Sequence, residues 1–122
     1  MRFAPNDDRP RVLISGAASG AGLACAEAFA ERGAELILCD WDGIALTRAA
    51  KQLGAFSRFC DAGAERGVEI FVEEITQQFG SVDVLVNAAG RGYVRALTMM
   101  RMARAFHESV QRHPNTPSGA PD

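Results

Sequence analysis

The chain has 122 residues and a mass of 13.1 kDa, the size of one domain with one core. Its residues are 48% hydrophobic and 23% charged, a globular balance that excludes wholesale disorder. A net charge of −2 and a pI near 5.7 give nucleic acid or an anionic membrane no electrostatic hold.

Met1 to Pro10 carries Asp7 and Asp8 and no apolar core, so it reads as an N-terminal arm rather than a secretory signal. No apolar run is long enough to span a bilayer. Cys25, Cys39 and Cys60 are odd in number and lack Cys-x-x-Cys spacing. They read as small buried hydrophobes in a reducing compartment, and the chain as cytoplasmic. His107 and His113 have no partners at metal spacing.

From Arg11 onward, apolar runs alternate with helical patterns. Arg11 to Ser15 is a short buried strand that stops at a Gly/Ala/Ser cluster. Ala21 to Arg32 reads as a helix with Leu23, Ala24, Ala28 and Phe29 on its apolar face and Gly33 as its stop. Glu35 to Asp40 is a second strand. Asp42 caps a helix reaching Leu53, ended by Gly54. Phe56 to Asp61 is a third strand, and Ala64 to Phe79 a helix with Val68, Phe71, Val72, Ile75 and Phe79 on one stripe. Val82 to Asn87 is a fourth strand. Tyr93 to Arg112 reads as a last helix, rich in methionine, and residues 113–122 as a frayed tail. One domain thus occupies residues 11–112. Strands apolar throughout imply a parallel sheet covered on both faces by helices, a Rossmann-like doubly wound α/β fold.

The turn after the first strand is Ser15-Gly16-Ala17-Ala18-Ser19-Gly20-Ala21-Gly22. Between a strand and a helix, such a turn suits a dinucleotide. Gly16 allows the tight turn, Gly20 lets the backbone approach a pyrophosphate, and Gly22 lets the helix lie close to the sheet. Ala21 offers only its backbone. The phosphates then meet free N–H groups at the positive helix end. Asp40, ending the second strand, can accept hydrogen bonds from both ribose hydroxyls and repels a 2′-phosphate. It could instead serve as a plain helix cap.

The spacing Gly-x-x-x-Gly-x-Gly resembles the first motif of the short-chain dehydrogenase/reductase family. Phe79 to Gly90, with its strand ending in Asn87-Ala88-Ala89-Gly90, resembles a second. The resemblance runs from Arg11 to Gly90 and implies strand order 3-2-1-4. It places Ser19 where members preferring NADP often carry a basic residue, which with Asp40 points to NAD. It sets Asp61 and Ala62 against the adenine and Asn87, Ala88, Ala89 and Gly90 along the ribose toward the nicotinamide. Trp41 either flanks the adenine or is a part-exposed aromatic at a helix start, and Asp61 alone could be a solvated turn acid.

The family resemblance also implies a catalytic Tyr with Lys four residues on. The only tyrosine here, Tyr93, is followed at that spacing by Leu97, and the only lysine is Lys51. Arg91 and Arg95 are poor substitutes, so no catalytic residue is assigned. The expected protein is a family member reduced to about four strands and its NAD-binding half. The fourth strand would then be an open edge, and the chain would self-associate, or pair with a full-length relative, through that edge or the 94–112 helix. Two other readings stand beside it. One is a non-catalytic interaction subunit. The other, an S-adenosylmethionine-dependent methyltransferase, leaves the Asn-Ala-Ala-Gly end unexplained.

Overall fold

Strands that are apolar on both sides need a cover on each. The computed structural model, which describes residues 9–61, 65–89, 103–108 and 111, provides both. In chain order the elements are β1 (Arg11–Ser15), α1 (Gly20–Glu31), β2 (Glu35–Asp40), α2 (Gly43–Leu53), β3 (Phe56–Phe59), α3 (Glu65–Phe79) and β4 (Val84–Asn87). Every strand pairing is parallel, and the order across the sheet is β3-β2-β1-β4. The fold is the Rossmann-like arrangement expected from the strand–helix alternation.

The period-two geometry of a strand divides the core. Val12, Ile14, Leu36 and Leu38 point to the face covered by α1 and α2, where they meet Ala26, Leu46 and Ala50. Leu13, Ile37 and Cys39 point the other way, onto Val68, Phe71, Val72 and Ile75 of α3. The stripe expected on α3 is the one that packs. Register puts Leu13 opposite Ile37 on one side and Leu85 on the other, so β1 is the fully covered centre of the sheet.

The buried face of α1 differs from the expected one. Gly22 and Ala26 are buried, whereas Ala24 and Ala28 are exposed. Alanine weighs little in choosing a face, and the close seat of Gly22 at the helix start fixes the rotation instead. The caps of α2 are as expected: the Asp42 carboxylate accepts from the Ala45 N–H at 3.1 Å, and Gly54 is left-handed (φ 64°). β3 ends at Phe59 rather than Asp61 because β2 offers no partner beyond Asp40. β4 begins at Val84 rather than Val82 because Asp83 is tied differently. Its carboxylate accepts from the Arg11 N–H at 2.7 Å, and its own N–H reaches the Arg11 carbonyl at 2.9 Å.

Arg11 also closes the end of the sheet away from the glycine turn. Its guanidinium pairs with Glu35, donates to the Phe79 and Ser81 carbonyls, and lies over the Phe79 ring at 5.5 Å. These contacts join β1 to β2, to the end of α3 and to the turn before β4. Of the expected last helix, residues 103–108 and 111 are helical, and Phe106 is buried on the α3 side of the core. Tyr93, Met99, Met100 and Met102 lie outside the described residues, as do residues 1–8 and 113–122.

Among the described residues, the Thr76 hydroxyl on α3 is fully buried and has no hydrogen-bond partner. A buried hydroxyl without a partner costs stability. Thr76→Val keeps nearly the same shape and removes that cost. The variant is expected to gain about 1 kcal/mol, read as a higher urea midpoint with an unchanged slope; a lower midpoint would show that the hydroxyl is satisfied.

Candidate functional site

The carboxyl ends of the strands surround a cavity of about 360 Å³, within the range of small-ligand pockets. One wall is the β1–α1 turn, with Gly16, Ala18, Ser19, Gly20 and Ala21. The second is the end of β2 and the start of α2, with Cys39, Asp40, Trp41 and Asp42. Ser15, Cys60, Ala88 and Ala89 complete the lining. It lies where the chain's strand order reverses, between β1 and β4, the position at which open α/β sheets take ligands.

Glycine is required in this turn at two positions for steric reasons. Gly16 has φ of 71°, and a Cβ there would stand 2.7 Å from the Ala88 carbonyl carbon and the Ala89 nitrogen. At Gly22 a Cβ would stand 1.9 Å from the Gly16 carbonyl oxygen. The first turn of α1 therefore rests directly on the turn before it. Gly20 is also left-handed (φ 57°), but the space beside it is open.

The start of α1 is left uncapped. Ser19 occupies the cap position in an extended conformation, yet its side chain makes no capping hydrogen bond, and no acidic residue sits in the first turn. Ser19, Gly20 and Ala21 at this helix start line the cavity, and the first N–H groups of a helix have no partner within it and carry its positive end. Such an end suits an anion, and a phosphate in particular.

Asp40 is 92% buried, being 8% exposed, and still lines the cavity. Its carboxylate accepts from the Ala18 N–H and from the Asp42 N–H, each at 2.9 Å. The sequence reading offered Asp40 to a ligand or to a helix cap; the cap is Asp42 instead. Asp40 also holds the glycine turn against β2, a role no spacing rule announces. Each oxygen accepts one internal N–H, and a carboxylate has about four acceptor sites, so both oxygens keep capacity toward the cavity.

At the opposite wall, the Ser15 hydroxyl donates to the Asn87 side-chain oxygen, and the Ala88 N–H reaches the Ser15 carbonyl at 2.9 Å. Asn87 is 7% exposed and is not a lining residue; it ties β4 to β1 beneath the cavity. Trp41, 72% exposed, stands at the rim. Asp61 is exposed and does not line the cavity, though its charge bears on Cys60. Ala62 and Gly90 lie outside the described residues. Sequence reasoning missed that Ser15, Cys39 and Cys60 line the cavity, although it read the two cysteines as buried, as they are. Only the strand-end position of Ser15 opposite an Asn-ended strand hinted at the first.

The Cys39 thiol is pushed well above the ordinary thiol range by its hydrogen bond to Cys60, by burial and by the nearby Cys60 and Asp40 charges. Cys60 is lowered, because the Cys39 S–H stabilises its thiolate; burial and Asp61 oppose this. Among the described residues, no three His, Cys, Asp or Glu side chains gather to hold a metal, and no helix is long and apolar enough to cross a membrane.

A family model described as short chain dehydrogenase matches residues 10–113. The meso-2,3-butanediol dehydrogenase of Serratia marcescens is 36% identical over 93 residues, covering 74% of this chain and 36% of that protein. A Burkholderia phymatum short-chain dehydrogenase/reductase solved in complex with NAD aligns with a TM-score of 0.72 and 27% identity, covering 82% of this chain and 43% of that one. A Thermococcus sibiricus alcohol dehydrogenase solved with 5-hydroxy-NADP aligns with a TM-score of 0.75 and 29% identity, covering 85% and 54%. The chain spans 16% to 40% of the curated relatives it matches.

The contact between Gly22 and Gly16 makes a sharp prediction. Gly22→Ala forces a methyl into a backbone oxygen and is expected to cost at least ~3 kcal/mol, seen as a large drop in the denaturation midpoint. Gly43→Ala, at a helix position with open space, is the control and should stay within about 1 kcal/mol of the parent. Equal midpoints for the two variants would refute the packing described.

Proposed function

The chain belongs to the short-chain dehydrogenase family, and on that premise we propose that its residues form the NAD(H)-binding part of an oxidoreductase. The observation that carries the proposal is the pairing, across one cavity, of an uncapped helix start with the Asp40 carboxylate. The diphosphate lies against the N–H groups of the turn and the first turn of α1, where a side chain at Gly16 or Gly22 would leave no room for the backbone arrangement. Asp40 accepts from the adenosine ribose hydroxyls, and the rim indole of Trp41 flanks the adenine. Ala88 and Ala89, held by the Ser15–Asn87 tie beneath them, line the path toward the nicotinamide.

The choice of NAD over NADP rests on charge. A 2′-phosphate brought to the ribose position meets the Asp40 carboxylate and finds no cation at Ser19. Solved relatives carry either cofactor, so the selection is a property of these residues rather than of the fold. When bound, the nicotinamide supplies the hydride chemistry. The chain's own residues bind and orient it, and no Tyr-x-x-x-Lys pair in the sequence supplies the proton transfer.

A second reading, an interaction subunit, has one observation behind it. β4 is an outer strand of the described sheet, and its Val84, Leu85 and Val86 are only partly buried. A second copy pairing along that edge would cover them. Sedimentation at tens of micromolar should then give a dimer, and a clean monomer overturns this reading.

Calorimetry with NAD and NADP tests the first reading. NAD is expected to bind more tightly. Asp40→Asn should narrow the preference by about tenfold, roughly 1.4 kcal/mol. Ser19→Arg should shift it toward NADP without loss of fold, because Ser19 makes no capping bond to lose. Absence of heat with either dinucleotide up to millimolar overturns the proposal.

A further inference from the structure

The dinucleotide reading leaves two residues of the cavity without a part: Cys39 and Cys60. β2 ends in Cys39-Asp40, and Cys60 directly follows β3, so parallel pairing delivers both to the same end of the sheet. Cys39 stands opposite Arg58, and the Cys60 N–H reaches the Asp40 carbonyl at 3.1 Å. A residue two positions beyond Arg58 shares its face, and both cysteines pack into the α3 side of the core with Leu13 and Ile37. Both are free thiols, 1% and 5% exposed, and each bears on the other's ionisation. Cys25, the third cysteine, packs on the opposite face of the sheet with α1.

The two thiols are unequal. Their mutual interaction shifts Cys60 down and Cys39 up, so Cys60 is the more readily ionised of the two. An attacking thiolate beside a protonated partner is the arrangement of a dithiol with one reactive and one resolving sulfur. Cys60 lines the cavity, so a molecule the size of water or peroxide reaches it from solvent.

We propose that Cys39 and Cys60 are an oxidisable dithiol, which hydrogen peroxide entering the cavity converts to a disulfide joining the end of β2 to the end of β3. The Cys60 thiolate attacks one peroxide oxygen, the O–O bond breaks, and the departing hydroxide takes up a proton and leaves as water. The product at Cys60 is a sulfenic acid. The Cys39 sulfur then attacks the sulfenic sulfur, the S–O bond breaks, and the hydroxyl departs with the Cys39 proton as a second water. In sum, two thiols lose two electrons and two protons, peroxide is reduced, and one disulfide and two waters form.

β3 is an outer strand of the described sheet with Arg58 and Phe59 exposed, so its end can be drawn toward β2 while the covered β1 stays in place. The disulfide would pull in the cavity wall beside Asp40. Oxidation would then weaken dinucleotide binding, and a bound dinucleotide would shield Cys60; this consequence rests on the NAD reading above.

The test is exposure of the full chain to excess peroxide, followed by alkylation with iodoacetamide, digestion and mass spectrometry. The expected product is a linked pair of peptides containing Cys39 and Cys60, from a chain two hydrogens lighter, with Cys25 alkylated. Cys60→Ser should slow loss of the Cys39 thiol by about tenfold or more, and Cys39→Ser should stop at a Cys60 sulfenic acid trapped by dimedone. Three free thiols after peroxide, or a link through Cys25, overturns the proposal, and that measurement needs no variant to fold. Saturating NAD should slow the disulfide by about tenfold through shielding. A disulfide that forms regardless of NAD, with no calorimetric binding, refutes the NAD reading and leaves the dithiol standing. NAD binding without a disulfide refutes the dithiol alone.

Discussion

At the top of β1 the first turn of α1 rests on the carbonyl oxygen of Gly16, so close that a Cβ at Gly22 would lie 1.9 Å from it. Gly16 in turn lies against the backbone of Ala88 and Ala89 at the end of β4. Three consequences follow from this contact. The helix axis is set at its start, so α1 buries Gly22 and Ala26 rather than its larger residues. The glycine turn passes over the end of β4 and forms one wall of the cavity. The helix start that lines the cavity is left without a side-chain cap.

Asp40 has two functions with different physical demands. Its hydrogen bonds to the Ala18 and Asp42 N–H groups keep the glycine turn and the start of α2 in register with β2. The same bonds hold a charge in a nearly buried position, where its field on a ligand is less screened than at the surface. The internal role therefore prepares the external one. A carboxylate already fixed by two donors loses little freedom when a ribose arrives.

The two ends of the sheet are built differently. At the amino ends of the strands, Arg11 draws β1, β2, α3 and the turn before β4 together with charge-assisted hydrogen bonds. At the carboxyl ends, the Ser15–Asn87 bond is the cross-strand tie beneath an open cavity. One end is held together by the Arg11 side chain and the other by backbone and small residues, and the cavity shared by the glycine turn and Asp40 lies at the second. The relatives this chain matches are longer, so the cavity described is the part of such a site that these residues supply.

Much of this was written locally in the chain. Apolar runs with no polar alternation required a sheet covered twice, and Asp42, Gly54 and the α3 stripe set helix ends and faces because caps and periodicity act over a few residues. The order of the glycines and the Asn-Ala-Ala-Gly end identified the family for the same reason, since each motif describes one turn. The sequence did not reveal which way α1 would face, for alanines weigh alike on every side. It did not reveal that Asp40 bonds the turn 22 positions earlier, that Arg11 reaches Phe79 and Ser81, or that Cys39 and Cys60 meet in one cavity wall. Those contacts depend on strand register, which brings distant residues within a few ångströms and exists only once the sheet has formed.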